Sequence, residues 1–283
     1  MVATGANQAP RIPAIGAGMA DGVHQIHSGG YRNPEALPPG AVLVVGTGNS
    51  GSQIAEEHDR AGRTDYLSVG YSGFPLRRYR GRDVFWWYYT AKLDQFRGDE
   101  GNPRGLGNIT GRDGGRALNL HQFARDGVCL LGRIQAIDGA VVTLASDLAA
   151  SLTAVNRLTA DFRDAVEAYN VANGLHAPAD EPSGHALLGA TDGRDSPLSL
   201  DLHAAGITSV IWATGYGWDL AWLRLPVLNA AGAPRNAAGL SPCAGLYFAG
   251  MSAAAPPSTS IGGVGAEAAR IAAEIAAREA AGA

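Results

Sequence analysis

The sequence predicts an α/β fold built on Rossmann-like, dinucleotide-binding units, and three observations carry that reading. Residues Ala41–Val45 are apolar without alternation, as in a strand buried on both faces. The turn Gly46-Thr-Gly-Asn-Ser-Gly51 follows at once and leads into a helical stretch from Ser52 to about Arg60. A second strand reads at about Tyr66–Val69, completing the strand, glycine turn, helix and strand that give such a glycine pattern meaning.

The remaining elements follow in order. From Gly70 to about Gly115 the chain is polar, aromatic and rich in arginine, with Arg77, Arg78, Arg80, Arg82 and the block Phe85-Trp-Trp-Tyr-Tyr89. A helix is expected from Asp83 to Phe96, and Gly98–Gly115 reads as loop. Short strands are expected at Val128–Leu131, Arg133–Ile137 and Ala140–Leu144, the last two joined by the hairpin signal Asp138-Gly139. A long helix starts near Ser146 or Asp147, either of which can cap it. Leu148, Leu152, Val155, Leu158, Phe162, Val166 and Tyr169 form its apolar stripe, and Gly174 ends it. His176–Asp195 reads as a surface excursion, while Ser209–Ala213 and Leu246–Ala249 read as strands. A last helix is expected after Gly262-Gly-Val-Gly265, burying Val264, Ala268, Ile271 and Ile275 and turning Glu267, Arg270, Glu274 and Arg278 outward.

Composition narrows the function classes. The 283 residues include 39 glycines, about twice the usual share and without a collagen period, which points to many close backbone approaches. A net charge of −4 gives no broad drive toward nucleic acid or an anionic membrane. No apolar run reaches the ~18 residues of a membrane span, and no secretory signal is visible, so a soluble cytoplasmic protein is expected. Cys129 and Cys243 form no Cys-x-x-Cys pair, and the seven histidines show no metal-ligand spacing. No metal is therefore proposed.

An internal echo bears on organisation. Ala-Thr-Gly occurs at Ala3–Gly5 and again at Ala213–Gly215, each time after an apolar residue. The second copy closes the unit opened by Gly46–Gly51, whereas the first has no glycine turn before it. If the copies end two homologous units, the opening of the first lies upstream of Met1, and the chain starts inside a domain.

Several segments together resemble the flavin-containing monooxygenases, and especially the bacterial flavoprotein oxidoreductases related to them. They are Gly46–Gly51, Val210-Ile-Trp-Ala-Thr-Gly-Tyr216, Trp222-Leu, Leu225-Pro-Val-Leu228, Gly245-Leu-Tyr-Phe-Ala-Gly250 and Gly262-Gly-Val-Gly265. Another mark of that family, Phe-x-Gly-x-x-x-His-x-x-x-Tyr, is matched only in its second half, His27-Ser-Gly-Gly-Tyr31; Asp21 and Val23 stand at the Phe and Gly positions. The resemblance implies an FAD domain split in sequence, with an NAD(P)H domain and a small antiparallel hairpin inserted. Residues 1–38 would be a remnant of the FAD domain, 39–215 the NAD(P)H domain and 216–283 the rest of the FAD domain. It implies hydride transfer from nicotinamide to FAD, then oxygen activation on a small organic substrate. The alternative is a non-catalytic remnant, or an NAD(P)H-binding module unable to hold FAD, because the opening FAD glycine turn is missing. The unpaired sheet edge of such a chain would favour self-association.

Candidate cofactor contacts follow. Gly46 makes the turn, Gly48 lets backbone approach a diphosphate, and Gly51 lets helix close on strand, with Asn49 and Ser50 able to add side-chain bonds. No carboxylate stands near Gly70, where NAD would need one for its ribose, and Arg77 and Arg78 lie downstream to meet a 2′-phosphate. NADP is therefore favoured over NAD. The resemblance adds Thr214, Gly215, Gly250, Gly262, Gly263 and Gly265 on the flavin side. No catalytic acid or base is assigned. Tyr88-Tyr-Thr-Ala-Lys92 matches Tyr-x-x-x-Lys of short-chain dehydrogenases, but it follows the glycine turn by too few residues for that fold. No Gly-x-Ser-x-Gly elbow of a hydrolase occurs.

Overall fold

The computed structural model describes residues 1–72, 76–93, 108–179, 196–251 and 261–282. Strands are β1 (Ala9–Pro10), β2 (His24–His27), β3 (Ala41–Thr47), β4 (Asp65–Ser72), β5 (Arg78–Tyr79), β6 (Arg82–Asp83), β7 (Ile109–Thr110) and β8 (Arg116–Ala117). They continue with β9 (Cys129–Leu131), β10 (Ile134–Asp138), β11 (Val141–Leu144), β12 (Ser199–Asp201), β13 (Ile207–Trp212) and β14 (Tyr216–Gly217). Helices are α1 (Asn49–Arg60), α2 (Val84–Thr90), α3 (Leu120–Asp126), α4 (Leu148–Ala172) and α5 (Ile261–Gly282). The chain divides into a larger unit, Ile12–Thr214, and a smaller one, Met1–Arg11 with Gly215–Ala283.

The larger unit is a mixed α/β structure around a five-stranded sheet of order β2-β13-β3-β4-β9, all of it parallel. Its centre is β3, where Val42, Leu43 and Val44 are wholly buried, as an unalternating apolar run demands. The pleat sends these residues to opposite faces. Val42 and Val44 pack with Ile54 of α1, Phe123 of α3 and Leu148 and Leu152 of α4. Leu43 and Val45 pack with Val142 and Leu144, from the antiparallel sheet β10-β11-β12 that covers the other face. Helix α4 also supports a satellite cluster, in which its Phe162 and Val166 meet Trp87 and Tyr88 of α2.

Several expectations are corrected here. Helix α2 stops at Thr90 rather than Phe96, because Lys92 turns into the left-handed region at φ +52° and ends the hydrogen-bonded turn. Within Gly98–Gly115, residues 98–107 lie outside the described residues, and the rest is not plain loop, since β7 pairs with β8. Helix α3 was unread, though Asn119 caps it through His121 N–H and Gly127 follows it at φ +106°. Of the excursion His176–Asp195, residues 180–195 lie outside the described residues. Residues 24–27 form an edge strand of the parallel sheet, beside β13.

In the smaller unit β1 pairs antiparallel with β14. Leu246–Ala249 forms no ladder; it is reduced to two isolated bridges, an antiparallel one of Tyr247 with Leu240 and a parallel one of Phe248 with Val2, the latter made by Val2 N–H to Tyr247 O and Ala249 N–H to Val2 O, both 2.8 Å. Helix α5 begins at Ile261, so the glycines at 262, 263 and 265 lie inside its first turns rather than before it. Its buried face is also rotated from the expected one: Glu267 and Ile271 are buried while Ala268 is exposed. The two Ala-Thr-Gly copies share a backbone turn, with Gly5 at φ +76° and Gly215 at φ +79°.

Candidate functional site

The glycine turn sits where β3 has β4 on one side and β13 on the other, so the chain leaves the sheet centre at a topological switch point. Ligands of open α/β sheets bind at such points, beyond the carboxyl ends of the strands. Gly46 adopts φ +106°, and a Cβ there would stand 2.6 Å from the carbonyl oxygen of Ala213. A Cβ on Gly51 would stand 1.9 Å from the carbonyl oxygen of Gly46, so only glycine lets α1 close on β3. Gly48 is different. Nothing lies within 4 Å of where its Cβ would be, which leaves its backbone open to a ligand.

Gly48 is the N-cap residue of α1, with no side-chain cap and no acidic residue in the first turn. The first bond of the helix is Ser52 N–H to Gly48 O, 3.0 Å. The amides of Asn49, Ser50 and Gly51 thus precede the helical ladder, at the end carrying partial positive charge. Ser50 stands on an open cleft of about 320 Å³ beside α1, shared with Gln53, Arg32 and Arg112.

A strap ahead of β7 secures this turn from behind, and sequence reasoning missed it. Asn108, 2% exposed, donates from Nδ2 to Thr47 O at 2.9 Å and to Ser52 Oγ at 3.1 Å. Ile109 N–H donates to Asn49 Oδ1 at 2.9 Å, and Gln53 Nε2 donates to Ile109 O at 2.8 Å. The Asn49 carbonyl group is therefore occupied within the chain. An asparagine after a glycine-rich stretch is too common in loops to have signalled this.

The arginines expected at a 2′-phosphate are also engaged within the chain. Arg77 pairs with Asp83 at 2.9 Å and lies over the Phe85 ring. Arg78 donates to Gly115 O and Gly114 O, at 2.7 and 3.0 Å. Strand β4 runs to Ser72 with no carboxylate from Val69 onward, in keeping with the expected lack of an NAD-type acid. On the outer face of α1, Arg112 and Arg116 neutralise Glu57 and the buried Glu56.

The half-matched His27–Tyr31 segment has a clear structural role. His27 ends β2, and its Nδ1 accepts Gly29 N–H at 3.0 Å. The Tyr31 hydroxyl donates to Glu57 of α1 at 3.2 Å; burial and that carboxylate push its pKa upward. At the far end of α1, His58 Nδ1 and Asp65 Oδ1 pair at 2.9 Å with both side chains fully buried. Burial pushes the Asp65 carboxyl up, against the lowering effect of His58.

Of the flavin-side candidates, Thr214 follows β13 in the larger unit, and Gly215, Gly250, Gly262, Gly263 and Gly265 belong to the smaller. Gly250 N–H donates to Glu267 Oε2 of α5 at 2.6 Å. No signal in the helical pattern marked Glu267, which reads there as one of several outward charges. Among the described residues the smaller unit has no strand, glycine turn and helix to seat a diphosphate.

A parallel sheet with a glycine turn and an open helix N-terminus at its switch point is the geometry at which α/β folds of this kind take dinucleotides. Comparison with known proteins shows what the chain is similar to. The chain is 30% identical over 282 residues to a CzcO-like oxidoreductase of Geobacillus kaustophilus, across 95% of its own length and 62% of that protein's. It is 26% identical over 263 residues to the CzcO oxidoreductase of Bacillus subtilis, 89% of this chain and 57% of the relative. A variant of the flavin monooxygenase from Stenotrophomonas maltophilia shares its fold over 98% of this chain and 61% of that one, with a TM-score of 0.51 and 14% identity. No family model matches the sequence. The chain is thus similar in sequence to CzcO-type oxidoreductases and in fold to a flavin monooxygenase, and it spans about 60% of the length of the relatives it matches. Among the described residues, no helix is long and apolar enough to cross a membrane.

Proposed function

We propose that the larger unit binds a nicotinamide dinucleotide, NADPH in preference to NADH, as the hydride donor of a flavoprotein oxidoreductase acting as a monooxygenase on a small organic molecule. The observation that carries the reading is the glycine turn: a Gly51 that admits no side chain, an open Gly48, and helix amides ahead of the ladder where a diphosphate would sit. The smaller unit is read as part of the FAD domain. That part rests on similarity to the oxidoreductases and on the isolated parallel bridge between Val2 and Phe248. When bound, the flavin supplies hydride acceptance and oxygen activation, which side chains lack. This chain's residues hold and orient the nucleotide.

The preference for NADPH rests on the end of β4, where an NAD-specific carboxylate is missing. Arg77 and Arg78 would have to exchange their present partners for a phosphate. Titration of the chain with NADPH and NADH, followed by tryptophan fluorescence, tests the reading. Saturable binding, tighter for NADPH, is expected; no binding of either contradicts it. Absorbance of retained flavin after incubation with FAD and desalting tests the flavin part separately. A colourless protein that still binds NADPH would support the module that cannot hold FAD.

A further inference from the structure

We propose that Asn108 is a positioning residue for the diphosphate-binding turn, an inference that rests on the nucleotide reading above. A trans peptide points its C=O and N–H in opposite directions. The Thr47–Gly48 peptide has its carbonyl held by Asn108 Nδ2 at 2.9 Å, so the Gly48 N–H is turned away from the strap, and nothing lies within 4 Å of a Cβ at Gly48. The same Nδ2 holds Ser52 Oγ at 3.1 Å. Ser52 carries the first bond of α1, so one buried amide group ties the peptide leading into the N-cap to the first turn of the helix. Ser52 Oγ also donates to Thr47 O, at a longer 3.4 Å, so loss of the Asn108 bond removes the shorter of these two restraints and lets the Thr47–Gly48 peptide tilt its amide from the anion. Strap and turn are joined a second time through Ile109 N–H and Asn49 Oδ1, which keeps Asn108 in register.

The strap recognises no part of the ligand itself; it fixes the orientation of a group that does. Its loss therefore weakens diphosphate-containing ligands selectively. The test compares the parent chain with Asn108→Leu, near in size and without a donor, and with Asn108→Ser, a smaller change should leucine overpack the site. NADPH and adenosine 2′-monophosphate, which lacks a diphosphate, are titrated against each, alongside thermal unfolding. About tenfold weaker NADPH binding is expected in the variants, the worth of roughly one charge-assisted hydrogen bond, with adenosine 2′-monophosphate binding changed less than twofold. Unchanged NADPH affinity in either folded variant overturns the proposal, and so does an equal loss for both ligands, which a merely structural role would produce. If the parent binds neither NADPH nor NADH, the nucleotide reading falls and this proposal with it; if only the variants behave as the parent does, the nucleotide reading stands alone.

Discussion

Two helices of this chain begin among glycines, and they use them differently. At α1 the glycines are dictated by contacts: one more carbon on Gly51 would sit 1.9 Å from a backbone oxygen, and Gly46 bends the chain out of β3 at φ +106°. At α5 the glycines lie within the helix, and a Cβ on Gly265 would meet nothing within 4 Å. Close backbone contacts thus dictate glycine at the start that a buried strand delivers. Before α1 stands a strand with wholly buried residues, whereas Leu246–Ala249 contributes two isolated bridges, Tyr247 to Leu240 and Phe248 to Val2.

Substitution by alanine sets the two starts against each other. Gly51→Ala should cost on the order of 3 kcal/mol or more, because its neighbour is backbone and cannot move aside, and should abolish NADPH binding. Thermal unfolding and nucleotide titration read both effects, and a near-neutral result would show that α1 does not pack as described. On the α5 side, Glu267→Ala removes the acceptor of Gly250 N–H and should cost about 1–2 kcal/mol in urea unfolding. Glu267→Gln, which keeps an acceptor, should cost less; equal losses would remove the hydrogen bond as the cause.

The far end of α1 gives a pH-dependent test. Burial raises the Asp65 carboxyl in the folded chain, so the folded state holds that proton to higher pH than the unfolded state does. Its contribution is fully present below the ordinary carboxylate range and is lost as pH rises through the raised value. Asp65→Asn should remove that downward slope, seen by denaturant unfolding at a series of pH values. A difference from the parent that does not vary with pH would contradict it. The smallest effect is expected for Gly265→Ala, which should stabilise by about 0.5–1 kcal/mol through helix propensity alone. Destabilisation there would reveal a contact that α5 shares with α1's kind of start.

What was legible in the sequence was what neighbours in the chain decide. The run Ala41–Gly51 declared its strand and turn, and the stripe from Leu148 to Val166 declared the buried face of α4, since each depends on period and local sterics. Distant partners stayed hidden. Asn108 reaches Thr47 across about sixty residues that include α1, α2 and three strands, and Glu267 is buried because Gly239 and Gly250 approach it from elsewhere in the chain. Helical periodicity placed Glu267 outside because it weighs polarity and has no knowledge of an amide waiting for an acceptor. Arg77 and Arg78 were legible as charges, but the Asp83 carboxylate and the carbonyls of Gly114 and Gly115 that engage them were not.

The most direct test of the central claim is a residue-resolved amide titration of the chain with NADPH by NMR. The largest shifts are expected on Gly48, Asn49, Ser50 and Gly51, the amides at the open end of α1, with little change at Gly263–Glu267. Shifts concentrated at the start of α5, or saturation with no change at Gly48–Gly51, would contradict it.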